Sequence, residues 1–380
     1  MAFEYQNTKR FFAQMMDESR GIALRELARL GARNTEMVKR GIYFEADHAS
    51  LYRINYASRF ISRVHAPLVS FPCHSTKYLY KKAGELPWAA LFSVKHTFAI
   101  FSNVSNSKIT HSRYASLVLK DAIVDRFRKH FGKRPSIDRT DPDVFINLHI
   151  NHNHATISLE TSGGSLHRRG YRKESLEAPM QETVAAAVVQ MSHWDGKKPL
   201  YDPMCGTGTL LCEALMSYCR IPPGYLRTKF GFQHLPDYDD ELWQSTKSDL
   251  DAKIRDLPTG LIFGSDIAQV AIDASNINLQ QLPTGTNVTL ERRDIREIDG
   301  IKNAIVIMNP PYGVRMESDG DIGILYGHIE DFLRSHCSNV EAYIYFGNRS
   351  HIKKINIKPV WKKPLKNGGL DGRLVKYVIS

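Results

Sequence analysis

The chain is poor in cysteine, with 5 in 380 residues, at positions 73, 205, 212, 219 and 337. An odd, sparse set of this kind is no disulfide framework, and it points to a cytoplasmic protein. Cys205, Cys212 and Cys219 recur every seven residues, whereas zinc sites use shorter spacings with clustered partners. They read as small buried residues, and no metal is expected. Also absent is any apolar run near the roughly 18–20 residues that span a bilayer, so no membrane association is expected. The start, Met-Ala-Phe-Glu-Tyr-Gln, lacks the basic-then-apolar layout of a signal peptide. Internal repeats and low-complexity segments are missing too, and 42% hydrophobic with 24% charged residues excludes a mostly disordered chain.

What is present in excess is positive charge, and it is unevenly placed. Residues 1–180 hold 28 Lys and Arg against 16 Asp and Glu, while residues 181–380 hold 23 against 24. Most of the excess lies in 61–160. A basic part beside a near-neutral one fits a polyanion-docking module joined to a module with another task. A prior of roughly 150 residues per domain gives two or three domains.

Apolar spacing predicts a helix over 21–30, a strand over 41–46, and a second helix from Ala49 to about Val64. A strand is expected over 97–101. A helix follows over 112–130, with Leu117, Ile123, Val124 and Phe127 inward and Lys120, Arg126, Arg128 and Lys129 outward. Alternation from Asp143 to Ile150 and again over 155–159 predicts a hairpin with Asn151-His-Asn-His154 at its tip. His149, His152 and His154 have no acid or cysteine in register to make a metal site. Thr161-Ser-Gly-Gly-Ser165 and the basic His167-Arg-Arg-Gly-Tyr-Arg-Lys173 read as a linker. Beyond a helix over 180–191, short apolar strands alternate with helices, the pattern of a parallel sheet.

Three features of that second half carry chemistry. Leu200-Tyr-Asp-Pro-Met-Cys-Gly-Thr-Gly208 is a strand ending in Asp202, then a turn in which Gly206 and Gly208 admit a ligand close to the backbone. The third glycine of a dinucleotide fingerprint is missing, and an acid stands at the strand end. That combination suits a ligand with a ribose and an ammonium tail, such as S-adenosylmethionine (AdoMet). Asp202 would face the ammonium, with Pro203, Cys205 and Thr207 in the surrounding loop. A further strand, over 260–265, ends in Asp266, followed by Ile267, and a third acid, Asp294, followed by Ile295, comes after Val288-Thr-Leu290. Asp266 suits ribose hydroxyls and Asp294 an adenine amine, although a single acid in either place fits a helix N-cap equally well. The stretch Arg220–Ser248, rich in aromatic residues, reads as an insertion between these units.

The deciding motif is Asn309-Pro310-Pro311-Tyr312, at the end of the apolar run 304–308. The exocyclic amine of a base is conjugated with its ring and is a poor nucleophile. The side-chain oxygen of Asn309 and the carbonyl of Pro310 would each accept one N–H, with proline rigidity fixing both acceptors in advance. Tyr312 offers a flat face to the base.

The order DPMCGTGT, Asp266, Asp294, NPPYG resembles the class I AdoMet-dependent methyltransferases that act on amino nitrogens. With the linker TSGGSLHRRGYRKESLEAPMQETVAAAVV (161–189), the chain is most similar to the THUMP-domain guanine-N2 RNA methyltransferases, in particular the bacterial enzymes of 23S ribosomal RNA. The resemblance implies an α/β protein with four parts. They are a ferredoxin-like unit (1–60), a THUMP RNA-binding domain (61–160), a linker (161–178) and a Rossmann-like, seven-stranded class I methyltransferase domain (179–380). It implies AdoMet contacts at Pro179, Met180, Asp202, Cys205, Gly206, Gly208, Asp266, Asp294 and Asn309. Val314 departs from the acidic residue usual after this motif, and Gln181 stands at a variable position.

Four other readings compete. Transfer RNA is an alternative substrate for the same mark. DNA adenine-N6 methyltransferases and release-factor glutamine methyltransferases share NPPY, but neither predicts this basic half and linker. A noncatalytic RNA-binding protein would not need Asn309 and Asp202 intact.

Overall fold

The computed structural model describes residues 2–176, 180–311 and 319–380. The chain divides into two compact units, one of Met1–Leu166 and Arg227–Ser248, the other of His167–Leu226 and Asp249–Ser380.

The first unit is built on one eight-stranded sheet. Its strands lie in the order Arg33–Val38, Gly41–Glu45, Arg10–Met15, Ile61–Pro72, His154–Glu160, Val144–Asn151, Thr97–Ser105 and Ser136–Ile137. The 12-residue strand Ile61–Pro72 pairs with Arg10–Met15 on one side and His154–Glu160 on the other. One continuous ladder thus joins the stretches 1–60 and 61–160. The helix expected to reach Val64 ends at Ala57, where the chain turns extended at Ser58. Its β-branched tail, Ile61 and Val64, is used in the strand instead. Buried Glu26 holds that turn by accepting from the Ser58 hydroxyl (2.6 Å) and the Arg59 amide (3.0 Å). The helix Ser112–Phe131 buries Ala115, Leu119, Ala122, Ile123, Val124 and Phe127. Leu117, expected inward, is instead 37% exposed, because the i, i+3, i+4 stripe runs through 115, 119 and 122. The hairpin tip forms as expected, with His152 and Asn153 both at positive φ.

Part of the stretch read as an insertion belongs to this first unit. Phe230, Phe232 and Trp243 pack with Tyr52 and Tyr56 in one aromatic cluster, with centroids 4.6 Å apart for Tyr52–Phe232 and 5.3 Å for Tyr56–Trp243.

The second unit holds a seven-stranded sheet in the order Thr289–Arg292, Ile262–Asp266, Leu200–Asp202, Ile305–Met308, Val340–Phe346, Arg373–Ile379 and Trp361–Pro364. The first five run parallel, and Arg373–Ile379 is antiparallel to both its neighbours. From Leu200–Asp202, the third strand in that order, the chain builds outward to one side and then returns on the other. The topological switch point therefore falls between Leu200–Asp202 and Ile305–Met308, where open α/β sheets bind ligands at their carboxyl edge. Val306, Met308, Ala342, Ile344 and Phe346 anchor an apolar cluster beneath that edge with Tyr326, Ile329 and Leu333 of the helix Asp319–Ser335. The helix expected from Met180 begins at Glu182, Gln181 being its extended N-cap.

Candidate active site

Asp202 ends the strand Leu200–Asp202, beside the switch point, and is 1% exposed. Burial, reinforced by the charge of Asp266, raises its carboxyl well above the ordinary range, and the Met204 amide donates to it at 3.1 Å. A buried carboxylate of this kind is costly unless a cation meets it. Asp266 fixes the glycine turn from the neighbouring strand, accepting from the Gly206 amide and, at its own helix entry, from the Ala268 amide, both at 3.0 Å. Gly206 and Gly208 have φ of +54° and +75°. A Cβ on Gly208 would stand 3.0 Å from Ser275 Oγ, whereas one on Gly206 would meet nothing within 4 Å. Gly208 is thus a packing glycine, and Gly206 borders open space. Cys205 is buried with its thiol pushed well up by burial, an inert wall of the loop. Pro203 and Thr207 are buried in the same loop.

Side chains that the sequence motifs did not single out hold this loop in place. Arg172 donates from Nη1 to Thr207 Oγ1 (3.3 Å), from Nη2 to the Met180 carbonyl (3.0 Å) and from Nε to Glu182 (3.1 Å). Asn278 donates to the Thr207 carbonyl (3.0 Å) and accepts the amides of Lys173 (2.7 Å) and Glu174 (3.0 Å). Ser275 donates to the Gly206 carbonyl at 2.7 Å. Asn367 accepts the Gln181 amide at 3.1 Å. Ser275 and Asn278 face inward on an apolar helix, Gln269–Leu279. Their spacing of three puts both on one helix face, but only the packing shows that this face is the inward one. The basic stretch read as a linker is a structural part of this unit. Arg169 and Glu213 form a buried ion pair (3.3 Å), and Tyr171 donates to the same carboxylate (3.1 Å).

Asn309 follows the strand Ile305–Met308, across the switch point from Asp202. Its Oδ1 is buried and has no hydrogen-bond partner among the described residues. Leaving such an acceptor unmet costs about 1–3 kcal/mol, and at this sheet edge an incoming N–H would meet it. Pro310 is buried beside it and Pro311 half-buried. Tyr312 and Val314 lie outside the described residues, as does Pro179; Met180 is 3% exposed. Asp294 caps a short helical turn, accepting the Arg296 amide (2.9 Å) and pairing with its guanidinium (2.7 Å). Its carboxyl is held below the usual range chiefly by that Arg296 hydrogen bond. A ligand amine there would share the carboxylate with Arg296. Ile295 lies in the apolar cluster with Val306 and Met308, and Ile267 is 60% exposed at the sheet edge. Asp202, Asp266, the glycine turn and Asn309 therefore gather on one edge, while Ile295 packs inward. Among the described residues, no three or more His, Cys, Asp or Glu stand together as a metal site. No helix among them is long and apolar enough to cross a membrane.

The pattern of the RMKL-like methyltransferase domain matches residues 169–376. The chain belongs to this family. Ahead of that domain, residues 10–65 match the RlmL ferredoxin-like domain and residues 73–160 the THUMP domain. The chain is 36% identical over 371 residues to a Synechocystis protein provisionally named an RNA methyltransferase, covering 97% of each chain. It is 35% and 33% identical to the ribosomal RNA large subunit methyltransferases K/L of Syntrophotalea carbinolica and Photobacterium profundum. It covers 54% and 51% of those proteins, about half their length. A crystal structure from Clostridium difficile 630, provisionally described as a methylase, superposes with a TM-score of 0.85 at 24% identity over 98% of both chains. One from Listeria monocytogenes, provisionally described as an N6-adenine-specific DNA methylase, gives the same score and identity over 99% of this chain and 98% of that one. The shared fold is the class I methyltransferase fold with ferredoxin-like and THUMP domains ahead of it; by itself it does not select the acceptor.

Proposed function

We propose that the chain transfers a methyl group from AdoMet to the exocyclic N2 amine of a guanine in RNA, with 23S ribosomal RNA the preferred acceptor and the cytoplasm the setting. The observation that carries the reading is the buried Oδ1 of Asn309 at the switch point, which has no partner among the described residues. An acceptor held without a partner suits an incoming N–H. The basic half supports a polyanion as the carrier of that base, and the names of the ribosomal relatives support RNA in particular.

AdoMet, when bound, supplies a methyl group made electrophilic by its sulfonium. The residues present fit it. Asp202 would meet the ammonium, which stabilises the charged carboxylate that burial otherwise disfavours. The open side of Gly206 leaves room for the ligand, and Asp266 stands at the next strand end for the ribose. Asn309 and the Pro310 carbonyl would each accept one N–H of the base, drawing the nitrogen lone pair out of conjugation and aiming it. Both acceptors are fixed before substrate arrives, so little reorganisation is needed at the moment of transfer. A guanine must leave its stack to enter such an edge pocket, so a flipped or unpaired base is the form bound. The ferredoxin-like and THUMP parts would hold the surrounding RNA through shape and phosphates.

Tritiated AdoMet offered with ribosomal RNA, transfer RNA, duplex DNA and release factor in parallel tests the reading. Label in large-subunit RNA as N2-methylguanine is expected. Label in DNA or protein, or in no RNA, overturns it.

A further inference from the structure

The near-zero charge of residues 181–380 conceals a strongly basic segment. From Arg349 to Lys366 the sequence RSHIKKINIKPVWKKPLK holds seven Lys or Arg and no acid. The fold puts Arg349–Lys354 just beyond the carboxyl edge of the catalytic sheet, takes the chain back along the sheet, and returns it to that edge in the outer strand. Val340–Phe346 runs parallel to the strand that delivers Asn309, with Ile344 opposite Met308. The basic segment starts three residues after Phe346. It returns in the edge strand Trp361–Pro364, whose Pro364 is opposite Arg373 and, through it, level with Phe346. Lys363 accordingly sits level with Tyr345, one residue beyond the Ile344–Met308 pairing. Three strand spacings separate that row from Asn309, about 14 Å along the sheet.

Apolar anchors fix the segment. Ile352, Ile355 and Leu365 are buried, and Ile352 and Ile355 join the cluster under the sheet edge. The intervening Lys353, Lys358, Lys362 and Lys363 are exposed. No carboxylate lies within ion-pair distance of these four among the described residues. Lys363 stands 4.6 Å over the Trp361 ring. Arg349 is 3.8 Å from Asp371, an exposed pair that water and salt screen.

We infer that residues 349–366 form a second RNA-contacting surface, on the catalytic unit itself, that grips phosphates flanking the target base. This inference rests on the RNA reading above. The plainer account is that lysines protect an exposed sheet edge from pairing with other chains. That accounts for Lys362 and Lys363 but not for Lys353 and Lys358, which lie outside the edge strand. Lys353 and Lys363 stand at the base-accepting edge, with Lys362 one residue and Lys358 further back along the outer side, a spaced series of cations that matches the repeating anions of a nucleic acid backbone.

Two full-length variants test it, Lys353→Gln/Lys358→Gln outside the strand and Lys362→Gln/Lys363→Gln within it. Each is assayed on deproteinised 23S ribosomal RNA with tritiated AdoMet, beside the unaltered protein, with thermal unfolding as the check on folding. Each pair should raise KM for RNA several-fold, and the four together about ten-fold or more. KM for AdoMet should stay put. The slope of log K against log salt for RNA should become shallower by about 3 when all four are removed. Unchanged KM and slope, or a change confined to aggregation of the edge-strand variant, overturns the inference while the RNA reading stands. If the unaltered protein methylates no RNA, the RNA reading itself fails, and this surface with it.

Discussion

The guanidinium of Arg172 donates to the hydroxyl of Thr207 at 3.3 Å, joining the basic connecting segment to the glycine turn of the proposed AdoMet site. The same turn is held from the opposite direction by Asn278, which bonds the Thr207 carbonyl and the amides that follow Arg172. The turn is therefore clamped to two elements before any ligand binds. Its conformation depends on residues that need not touch the ligand, so Arg172 is a positioning residue.

Replacing Arg172 by Lys keeps the charge but loses the fork that reaches Thr207, Met180 and Glu182 together. One charge-assisted hydrogen bond is worth about 1.5–3 kcal/mol, so AdoMet affinity should fall by about ten-fold or more. Thr207→Val should move it in the same direction by less. Calorimetric titration with AdoMet reads the effect. Full affinity in Arg172→Lys, together with a lower melting temperature, would reduce the network to a stability role.

Asn309 gives a prediction of unusual sign. Removing a buried acceptor that lacks a partner removes its desolvation cost of about 1–3 kcal/mol, offset in part by lost packing. Asn309→Ala should therefore be as stable as the unaltered protein or slightly more so, and still bind AdoMet. Methyl transfer should drop by at least 10²–10³-fold, the order lost when one preorganised polar group is removed. Thermal unfolding and single-turnover methylation are the measurements. A clear loss of stability would mean that Oδ1 is satisfied in the free protein.

Strand-end acids, the glycine turn and the proline-locked asparagine were legible because each is a local signal placed by one strand. The parallel sheet and the hairpin tip followed from the same periodicities, whereas the switch point needed the strand order. Three things were not legible, each for a physical reason. Strand Ile61–Pro72 is a strand only because partners flank it on both sides, and its first residues extend a plausible helical pattern. Ser275 and Asn278 look like ordinary helix residues until the helix face is known. The aromatic residues of the stretch 230–243 find their partners at Tyr52 and Tyr56, almost two hundred residues earlier, beyond the reach of any window. Net charge misled as well: averaging over residues 181–380 hid the basic run after Arg349.

His65 makes acid stability testable. It is fully enclosed on the strand Ile61–Pro72, and burial, helped by Arg63 and His149, depresses its pKa from 6.5 to about 3. The folded state thus holds it neutral while the unfolded chain takes up a proton below pH 6.5. Its contribution is intact above pH 6.5 and is lost as pH falls from there towards 3, at up to about 1.4 kcal/mol per pH unit. Asp237 also loses stability on acidification, but in a lower window. Burial opposes its ionisation, yet hydrogen bonds from His48 and Tyr5 bring its pKa down from 3.8 to about 2. His65→Phe should flatten the urea-unfolding stability profile between pH 6.5 and 4. An unchanged slope in that window would show that His65 is protonated in the fold.

The stretch Arg227–Ser248 leaves the catalytic unit in sequence and completes the other one in space. Arg227 donates to the carbonyls of Ser162 and Gly163, both at 2.9 Å, and the Phe232 amide donates to the Thr161 carbonyl at 2.8 Å. At Gly231 a Cβ would fall 1.9 Å from the Glu160 carbonyl oxygen, so only glycine permits this approach. Trp243 is 5% exposed among Tyr52, Tyr56, Phe230 and Phe232, and Trp243→Ala should cost about 3–5 kcal/mol. A sharper test separates the units. A fragment of residues 167–380 carries Phe230, Phe232 and Trp243 without the tyrosines that cover them, and should self-associate in sedimentation experiments. The same fragment with a flexible glycine–serine linker in place of 227–248 should stay monomeric and bind AdoMet, because every residue of the Arg172–Thr207–Asn278 clamp lies within it. If both fragments behave alike, the aromatic stretch stabilises the catalytic unit rather than the first one.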